Sequence, residues 1–204
     1  MLFDDTYTIP AHTGEALLKD RGSKFFAYAY AVFSDDDIKN RLEELRAKYP
    51  DATHHCYAWV LNPDKSAQRA NDDGEPANTA GKPILRQIAS KGLTNVLVVV
   101  VRYFGGTLLG AGGLITAYGN AAKMALEEAG IEEKLIEGQF SALYNYDVEG
   151  DVFRFLRTLG AQILSVDKQE QGKVLFTVRK SKVEEVHNLW HDFRNFELSF
   201  IGYT

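Results

Sequence analysis

The chain contains 204 residues, of which 45% are hydrophobic and 25% are charged, and its formal net charge is −5. This composition is ordinary for a soluble globular protein, and the acidic balance argues against a protein that coats nucleic acid through bulk positive charge. The chain has one cysteine, no uncharged apolar run of membrane-spanning length and no leader-like pattern in MLFDDTYTIP. These features exclude an intrachain disulfide and predict a cytoplasmic protein that does not associate with a membrane.

The first two thirds of the chain predict a mixture of strands and helices. Strands are predicted for segments with aromatic or near-alternating apolar patterns, namely DTYTIP, EALLKD, SKFFAYAYAVF, HHCYAWVL and TNVLVVVV. Helices are predicted for SDDDIKNRLEELRAKYP, GKPILRQIASKG and GLITAYGNAAKMALEEAG. In the first helix, Ser34 takes the N-cap position and Asp37 the capping-box position. A polar loop, NPDKSAQRANDDGEPANTAG, precedes the second helix, and loops of such length are usually functional or mobile.

The C-terminal third has a different order of elements. EKLIEGQFSALYNYDV predicts a strand, VEGDVFRFLRTLG a helix, AQILSVDKQ and KVLFTVRK a hairpin, SKVEEVHNLWHDF a helix and NFELSFIGYT a strand. This βαββαβ order over about 65 residues fits a ferredoxin-like module. We therefore predict an α+β protein with two domains, residues 1–136 and 137–204, and a boundary within residues 135–138.

The segment His54-His55-Cys56 contains residue types that bind metals. Adjacent strand residues point to opposite faces, so His54 and Cys56 share a face and His55 does not. A zinc site takes four ligands, and the sequence has no second spaced pair of His or Cys to add to the acids of DDGEP. We therefore expect no metal. A nucleophilic Cys56 beside His54 and a Cys56 packed in the core are two further alternatives.

Residues 98–119, VVVVRYFGGTLLGAGGLITAYG, connect a predicted buried strand to a predicted helix through a glycine-rich bend. The segment lacks the Gly-Lys-Ser/Thr of a Walker A loop, and its glycine spacing does not match a dinucleotide fingerprint. Two interpretations remain. One is a phosphate cradle made by free N–H groups of a helix N-terminus with Arg102. The other is a tight turn packed against another backbone segment.

The segment NDDGEPANTAGKP, residues 71–83, is either a shaped loop that binds a ligand, cation or partner, or a solvated turn. The charge around it is less acidic than the whole chain. Between residues 65 and 123 we count seven basic residues against three acids, a balance of +4. The basic residues in this window are Lys65, Arg69, Lys82, Arg86, Lys91, Arg102 and Lys123.

Three blocks of the sequence together resemble the signature of the IMPACT (YigZ) family. They are HHCYAW, DDGEP followed by TAGKP, and VVRYFGGTLLGAGGLITAYG, and they stand in the family's order. The resemblance covers nearly the whole chain. It implies a ribosomal protein S5 domain 2-like fold for residues 1–136 and a ferredoxin-like domain similar to those of elongation factor G for residues 137–204. Eukaryotic relatives regulate translation, whereas bacterial members have no settled activity.

From this resemblance we predict a translation- or RNA-associated regulatory protein rather than an enzyme, with no cofactor. The expected partner is RNA, the ribosome or a phosphate-bearing small molecule, bound in a cleft formed by DDGEP, TAGKP and YFGGTLLGAGG. A kinase-like enzyme acting on a phosphorylated small molecule and a metal-dependent hydrolase are the alternatives, and the oligomeric state is left open. The predicted ligand-binding residues are His54, His55, Asp72, Asp73, Glu75, Lys82, Arg86, Arg102, Tyr103, Gly105, Gly106, Gly110, Gly112 and Gly113.

Overall fold

Strands and helices follow one another along most of the chain in a computed structural model that describes residues 5–193 and 195–204. The strands are β1 (Thr6–Pro10), β2 (Gly14–Asp20), β3 (Ser23–Ala31), β4 (His54–Leu61), β5 (Ala67–Asn71), β6 (Val96–Tyr103), β7 (Ile131–Leu135), β8 (Glu137–Tyr144), β9 (Gln162–Lys168), β10 (Gly172–Arg179) and β11 (Glu197–Tyr203). The α-helices are α1 (Asp35–Lys48), α2 (Gly81–Ser90), α3 (Gly110–Ala129), α4 (Glu149–Leu159) and α5 (Val183–Phe193). The mixed α+β class predicted from the sequence is confirmed.

The chain divides into two compact units. Residues 8–134 form the first unit, and residues 135–204 form the second together with the described residues 5–7. Asp5 belongs to the second unit because its carbonyl accepts the N–H of Ile136 at 2.5 Å and its carboxylate accepts the N–H of Ser181 at 2.7 Å. The expected first domain, residues 1–136, thus differs from the first unit at both ends, because residues 5–7 and residues 135–136 belong to the second unit.

The first unit is built on a five-stranded sheet in the order β2-β3-β6-β4-β5, in which all neighbouring strands are antiparallel. Helices α2 and α3 pack on one face, and α1 packs on the other. The central strand β6 is consequently buried from Val96 to Val101. At the end of β6, Arg102 lies opposite His54 of β4 and Phe25 of β3. This register brings two of the sequence blocks together.

Helix α1 begins with the capping interactions that the sequence predicts. The Ser34 side chain accepts the N–H of Asp37 at 3.1 Å, and the Asp37 carboxylate accepts the N–H of Phe33 at 2.8 Å. The first bond satisfies a donor that the first helical turn leaves free, and the second ties the N–H of Phe33, the residue before the N-cap, to the same turn. The predicted start of this helix is confirmed.

One strand, β5, was not expected from the sequence. Strand β5 lies inside the segment expected to be a polar loop and pairs with β4. Its sequence AQRAN has no apolar alternation, so pairing with the sheet edge rather than local preference determines its conformation. The predicted strand DTYTIP forms β1, which pairs with β7 in a separate two-stranded sheet.

The second unit has a four-stranded antiparallel sheet in the order β11-β8-β10-β9. Helices α4 and α5 contribute to one apolar cluster with this sheet, around Phe140, Phe155 and Phe176. The βαββαβ order predicts this strand arrangement, which is that of ferredoxin-like folds. Within the described residues, no helix combines the length and hydropathy needed to cross a bilayer.

Candidate functional site

A pocket of about 480 Å³ lies where β6 ends and α3 begins, and we call it the glycine-loop pocket. Its polar lining comes from His54, Glu75 and Arg102, together with Thr53. The rest of the lining is apolar or glycine: Pro76, Phe104, Leu108, Leu109, Gly110, Ala111 and Leu114. A cavity of this size with few polar groups among apolar walls is typical of ligand sites.

The polar groups of the pocket are connected through Glu75. Its Oε1 lies 2.6 Å from Nη1 of Arg102 and accepts the hydroxyl of Tyr118 at 2.7 Å. Nη2 of Arg102 donates to the hydroxyl of Ser23 at 3.3 Å. The Arg102 and Glu75 side chains are only 6% and 4% exposed. The charge of Arg102 is therefore largely matched inside the protein.

A tight turn positions both His54 and Glu75. The N–H of Glu75 donates to the carbonyl of Asp72 at 2.9 Å, and the two central residues, Asp73 and Gly74, have φ values of +40° and +86°. Asp-Gly is the sequence that favours such a turn with two positive φ angles. Nδ1 of His54 lies 2.7 Å from the carbonyl of Asp73, so Nδ1 carries the proton and Nε2 faces Oε1 of Glu75 at 3.8 Å.

Asp72 stabilises the loop and does not line the pocket. Its carboxylate accepts the N–H groups of Asn78, Ala80 and Gly81 at 2.8–3.0 Å, which caps the start of α2. Burial raises the pKa of this carboxyl group. The three backbone donors and the charge of Lys82 together lower the pKa by more than burial raises it, so the net shift is downward. The first acid of DDGEP is thus a structural anion.

His55 and Tyr103 lie on the other face of the sheet, under α1. The N–H of His55 donates to the Asp73 carboxylate at 2.6 Å, and the His55 side chain is buried. Burial lowers the pKa of its imidazole. The charge of Asp73 opposes this shift and the charge of Arg46 adds to it. The strand alternation of β4 and β6 separates these two residues from His54 and Arg102. The structure does not bring them into the glycine-loop pocket.

The glycines after β6 are needed for different structural reasons. A Cβ on Gly105 would lie 1.9 Å from the carbonyl carbon of Gly22, so two backbone segments cross there in direct contact. Gly110 has a φ of +71°, which favours glycine, and it forms part of the pocket wall. The other predicted glycines, Gly106, Gly112 and Gly113, belong to the same loop and to the first turn of α3 but do not line the pocket.

The predicted basic cleft is only partly assembled. Lys82 and Arg86 are exposed on α2 and are not among the residues that line the pocket. Arg102 does line it, and its Nε is buried without a hydrogen-bond partner in the described part of the chain. Lys82 and Arg86 were expected beside Arg102 because they are close to the motif blocks in sequence. In the structure, α2 carries both side chains away from the pocket wall.

Cys56 lies in the core next to the pocket base. Its sulfur lies 3.0 Å from the carbonyl oxygen of Asp72 and 3.3 Å from the hydroxyl of Tyr118, and its single S–H proton is shared between these two acceptors. Burial raises the pKa of this thiol well above its usual range, which disfavours the nucleophilic thiolate. Across residues 5–193 and 195–204, no cluster of three or more His, Cys, Asp or Glu is arranged to hold a metal ion.

Sequence reasoning missed the apolar wall of the pocket. Leu108 is 83% exposed, and Leu109 and Leu114 are buried beside it. The signal was present in the sequence, because two leucines inside GGTLLGAGG are unusual for a solvated loop. The exposed Ala111 completes this wall at the first turn of α3.

Similarity to known proteins extends over both units of the chain. The family described as Impact N-terminal domain matches residues 21–126. The chain is 33% identical to the IMPACT family member YigZ of Escherichia coli (strain K12) over 200 residues, which are 97% of this chain and 98% of that relative. It is 36% identical over 129 residues to the IMPACT family member YvyE of Bacillus subtilis (strain 168), covering 63% of this chain and 59% of the relative. The crystal structure of a hypothetical protein matches with a TM-score of 0.74 and 33% identity over 97% of this chain and 98% of the other.

Proposed function

The chain belongs to the IMPACT family, and from this premise we propose that it acts in the regulation of translation by binding RNA at the glycine-loop pocket. The translation part of the proposal rests on what family membership implies, since eukaryotic relatives regulate translation. The RNA part rests on the chemistry of the pocket. The single observation that carries it is the uncapped N-terminus of α3, which opens into this pocket through Gly110 and Ala111.

The first turn of α3 favours an anion. No side chain caps this helix, so its first N–H groups are available to an acceptor. The helix dipole adds partial positive charge at the same end, and the two effects together suit a phosphate group. The buried Nε of Arg102 is a further donor without a partner among the described residues. Because Glu75 matches the charge of Arg102, the pocket suits a single phosphate group of an RNA strand rather than several at once.

The apolar wall favours a ligand with an aromatic part. Phe104 is 48% exposed at the mouth of the pocket, and Leu108 is exposed next to it. A nucleotide combines a phosphate with a base that can stack on a phenyl ring, and unpaired bases are available in single-stranded RNA. This combination supports RNA over an inorganic or purely sugar-based anion.

The test is binding of a fluorescent single-stranded RNA of roughly ten nucleotides, measured by anisotropy at about 50 and about 200 mM salt. Ala111→Asp places a carboxylate in the first turn of α3, where it is compatible with the helix dipole but repels a phosphate. We expect this variant to bind the RNA about tenfold more weakly, because it loses one charge-assisted contact to a phosphate. Arg102→Ala is a poorer test, since it leaves Glu75 buried and unpaired.

The matched control is Asn120→Asp, which makes the same change in net charge on the exposed side of the same helix. It is expected to bind RNA within about twofold of wild type because surface charges far from the phosphate are screened. Equal affinity of the Ala111→Asp variant and wild type, or no wild-type binding at the lower salt concentration, rules out RNA binding at this pocket.

A second candidate function is catalysis on a phosphorylated small molecule. The observation in its favour is the orientation of His54, whose Nδ1–H is held by the Asp73 carbonyl, so that Nε2 is a potential proton acceptor next to Glu75. Release of inorganic phosphate from nucleotides or sugar phosphates that is lost in His54→Gln supports this candidate. Retention of RNA affinity by the same variant separates it from the binding function.

A further inference from the structure

A second pocket, of about 420 Å³, lies on the α1 side of the sheet and shares Phe104 with the glycine-loop pocket. We call it the aromatic pocket. It is lined by Gly22, Lys24, Phe26, Tyr49, Tyr103 and Phe104. We propose that the aromatic pocket binds an unpaired base of the RNA whose phosphate occupies the glycine-loop pocket. This inference rests on the proposed function and specifies its ligand as single-stranded RNA.

The rings of the aromatic pocket are packed against one another. Phe26 and Tyr49 stack with their centroids 5.2 Å apart. Tyr103 meets Phe26 edge to face at 6.0 Å and Tyr49 at 6.3 Å. All three rings are half-buried, so each is fixed by packing but still reaches solvent. A prearranged aromatic surface loses little conformational entropy when a base stacks on it.

Hydrogen bonding further fixes Tyr49. Its hydroxyl bonds to that of Tyr28, which also accepts from the ammonium of Lys48 at 3.2 Å. The Lys48 ammonium lies 5.4 Å from the centroid of the Tyr49 ring. The ring is therefore already paired with a cation on one side, which leaves the pocket better suited to a neutral base than to a cationic ligand.

The charge of the pocket rim selects an anionic strand. Lys24 is exposed and has no ion pair among the described residues, and none of the six lining residues is acidic. A free ammonium next to a stacking surface is the combination that binds single-stranded nucleic acid, with the cation on the backbone and the ring on the base.

Phe104 connects the two pockets. Its ring lines both of them and lies 5.6 Å from the guanidinium carbon of Arg102. Adjacent residues of β6, Arg102 and Tyr103, face the two different pockets because strand side chains alternate. A flexible strand passing over Phe104 can place a phosphate on one side and a base on the other. A duplex cannot do so, because its bases are paired and stacked.

The experiment compares single-stranded oligouridine with an abasic oligoribonucleotide of the same length, by fluorescence anisotropy. Tyr103→Leu removes the ring but keeps apolar volume, and it is expected to weaken oligouridine binding about tenfold while leaving abasic binding unchanged. Tyr103→Phe, which retains the ring, is expected to regain most of the lost affinity. Phe33→Leu is the matched control, since Phe33 is 60% exposed and lines neither pocket.

A second variant tests the cation independently of the rings. Lys24 is exposed, so Lys24→Gln does not disturb the core. The substitution is expected to reduce the slope of log affinity against log salt concentration by about one, the value for one lost phosphate contact. This readout remains informative if Tyr103→Leu fails to fold. An unchanged salt slope contradicts the role of Lys24.

The outcomes separate this inference from the proposed function. If wild type binds RNA and Ala111→Asp weakens binding, but Tyr103→Leu binds oligouridine like wild type, the base site is wrong and the phosphate site stands. Equal loss of oligouridine and abasic binding in a folded Tyr103→Leu variant also overturns the base site, since the ring then contributes to binding without contacting a base. Failure of wild type to bind either oligonucleotide overturns both proposals.

Discussion

The carboxylate of Glu75 lies 2.6 Å from the guanidinium of Arg102, 27 residues away, and both side chains are more than nine-tenths buried. Each charge is acceptable in the interior because the other is present. The pair also fixes the base of the glycine-loop pocket, since Glu75 joins the DDGEP turn to the end of β6. Stability and binding should therefore both depend on it.

Glu75→Gln is predicted to lower the free energy of unfolding by about 3–5 kcal/mol, the cost of leaving a buried charge without its partner. Urea denaturation measures this change. The control is Glu44→Gln, because Glu44 pairs with Arg41 at the surface and such pairs contribute about 0–1 kcal/mol. Similar small effects of both substitutions would show that the Glu75–Arg102 pair is not a buried ion pair in solution.

His55 is predicted to make the protein less stable in mild acid. Burial lowers its folded-state pKa below the ordinary 6.5, so the unfolded chain takes up the proton first. The stability contributed by neutral His55 is complete above about pH 6.5 and is lost as the pH falls from there towards the folded-state pKa. His55→Asn should remove this part of the pH dependence between about pH 8 and pH 5.

Thermal unfolding of the His55→Asn variant, wild type and His12→Asn across this pH range tests the assignment. His12 is exposed, so its substitution should leave the pH profile of wild type intact. A profile for His55→Asn that runs parallel to wild type contradicts the prediction.

Gly105→Ala is predicted to destabilise the first unit by more than an ordinary overpacking substitution, which costs about 1–3 kcal/mol. The added Cβ would lie 1.9 Å from backbone atoms of Gly22, and backbone cannot move aside as a side chain can. Gly112→Ala is the control, because no atom lies within 4 Å of its added Cβ and alanine favours helix. Equal melting temperatures of the two variants would contradict the close backbone crossing.

The division into units predicts that residues 8–134 fold alone. This segment contains the five-stranded sheet, its three helices and both proposed pockets. A fragment of this length can bury an adequate core. We expect a cooperative urea transition and dispersed amide NMR signals. A broad transition without dispersion would mean that the first unit depends on the second, and that the boundary must be moved.

Local patterns predicted much of the fold. The capping residues Ser34 and Asp37 gave the start of α1, and the βαββαβ pattern gave the order of the second unit. Strand β5 could not be predicted, because AQRAN becomes a strand only through pairing with β4. An element can be predicted when the interactions that determine its conformation lie within its own segment, as in α1. It cannot be predicted when they come from a distant segment, as in β5.

The same distinction applies to the candidate site. Sequence blocks pointed to His54, Glu75 and Arg102, which the structure brings together through the register of β4 and β6 and the DDGEP turn. Strand alternation alone could have shown that Tyr103 faces away from Arg102. The outward position of Lys82 and the capping of α2 by Asp72 depend on how the loop folds back, which no spacing in the sequence indicates.

The most direct test of the central claim is an NMR titration of the isotope-labelled full-length chain with single-stranded oligouridine. RNA binding at the glycine-loop and aromatic pockets predicts that the largest amide shift changes map to residues 103–114 and to Lys24, and that Ala111→Asp reduces those at the start of α3. Shift changes confined to the second unit, residues 135–204, or no changes at RNA concentrations that saturate binding, would contradict it.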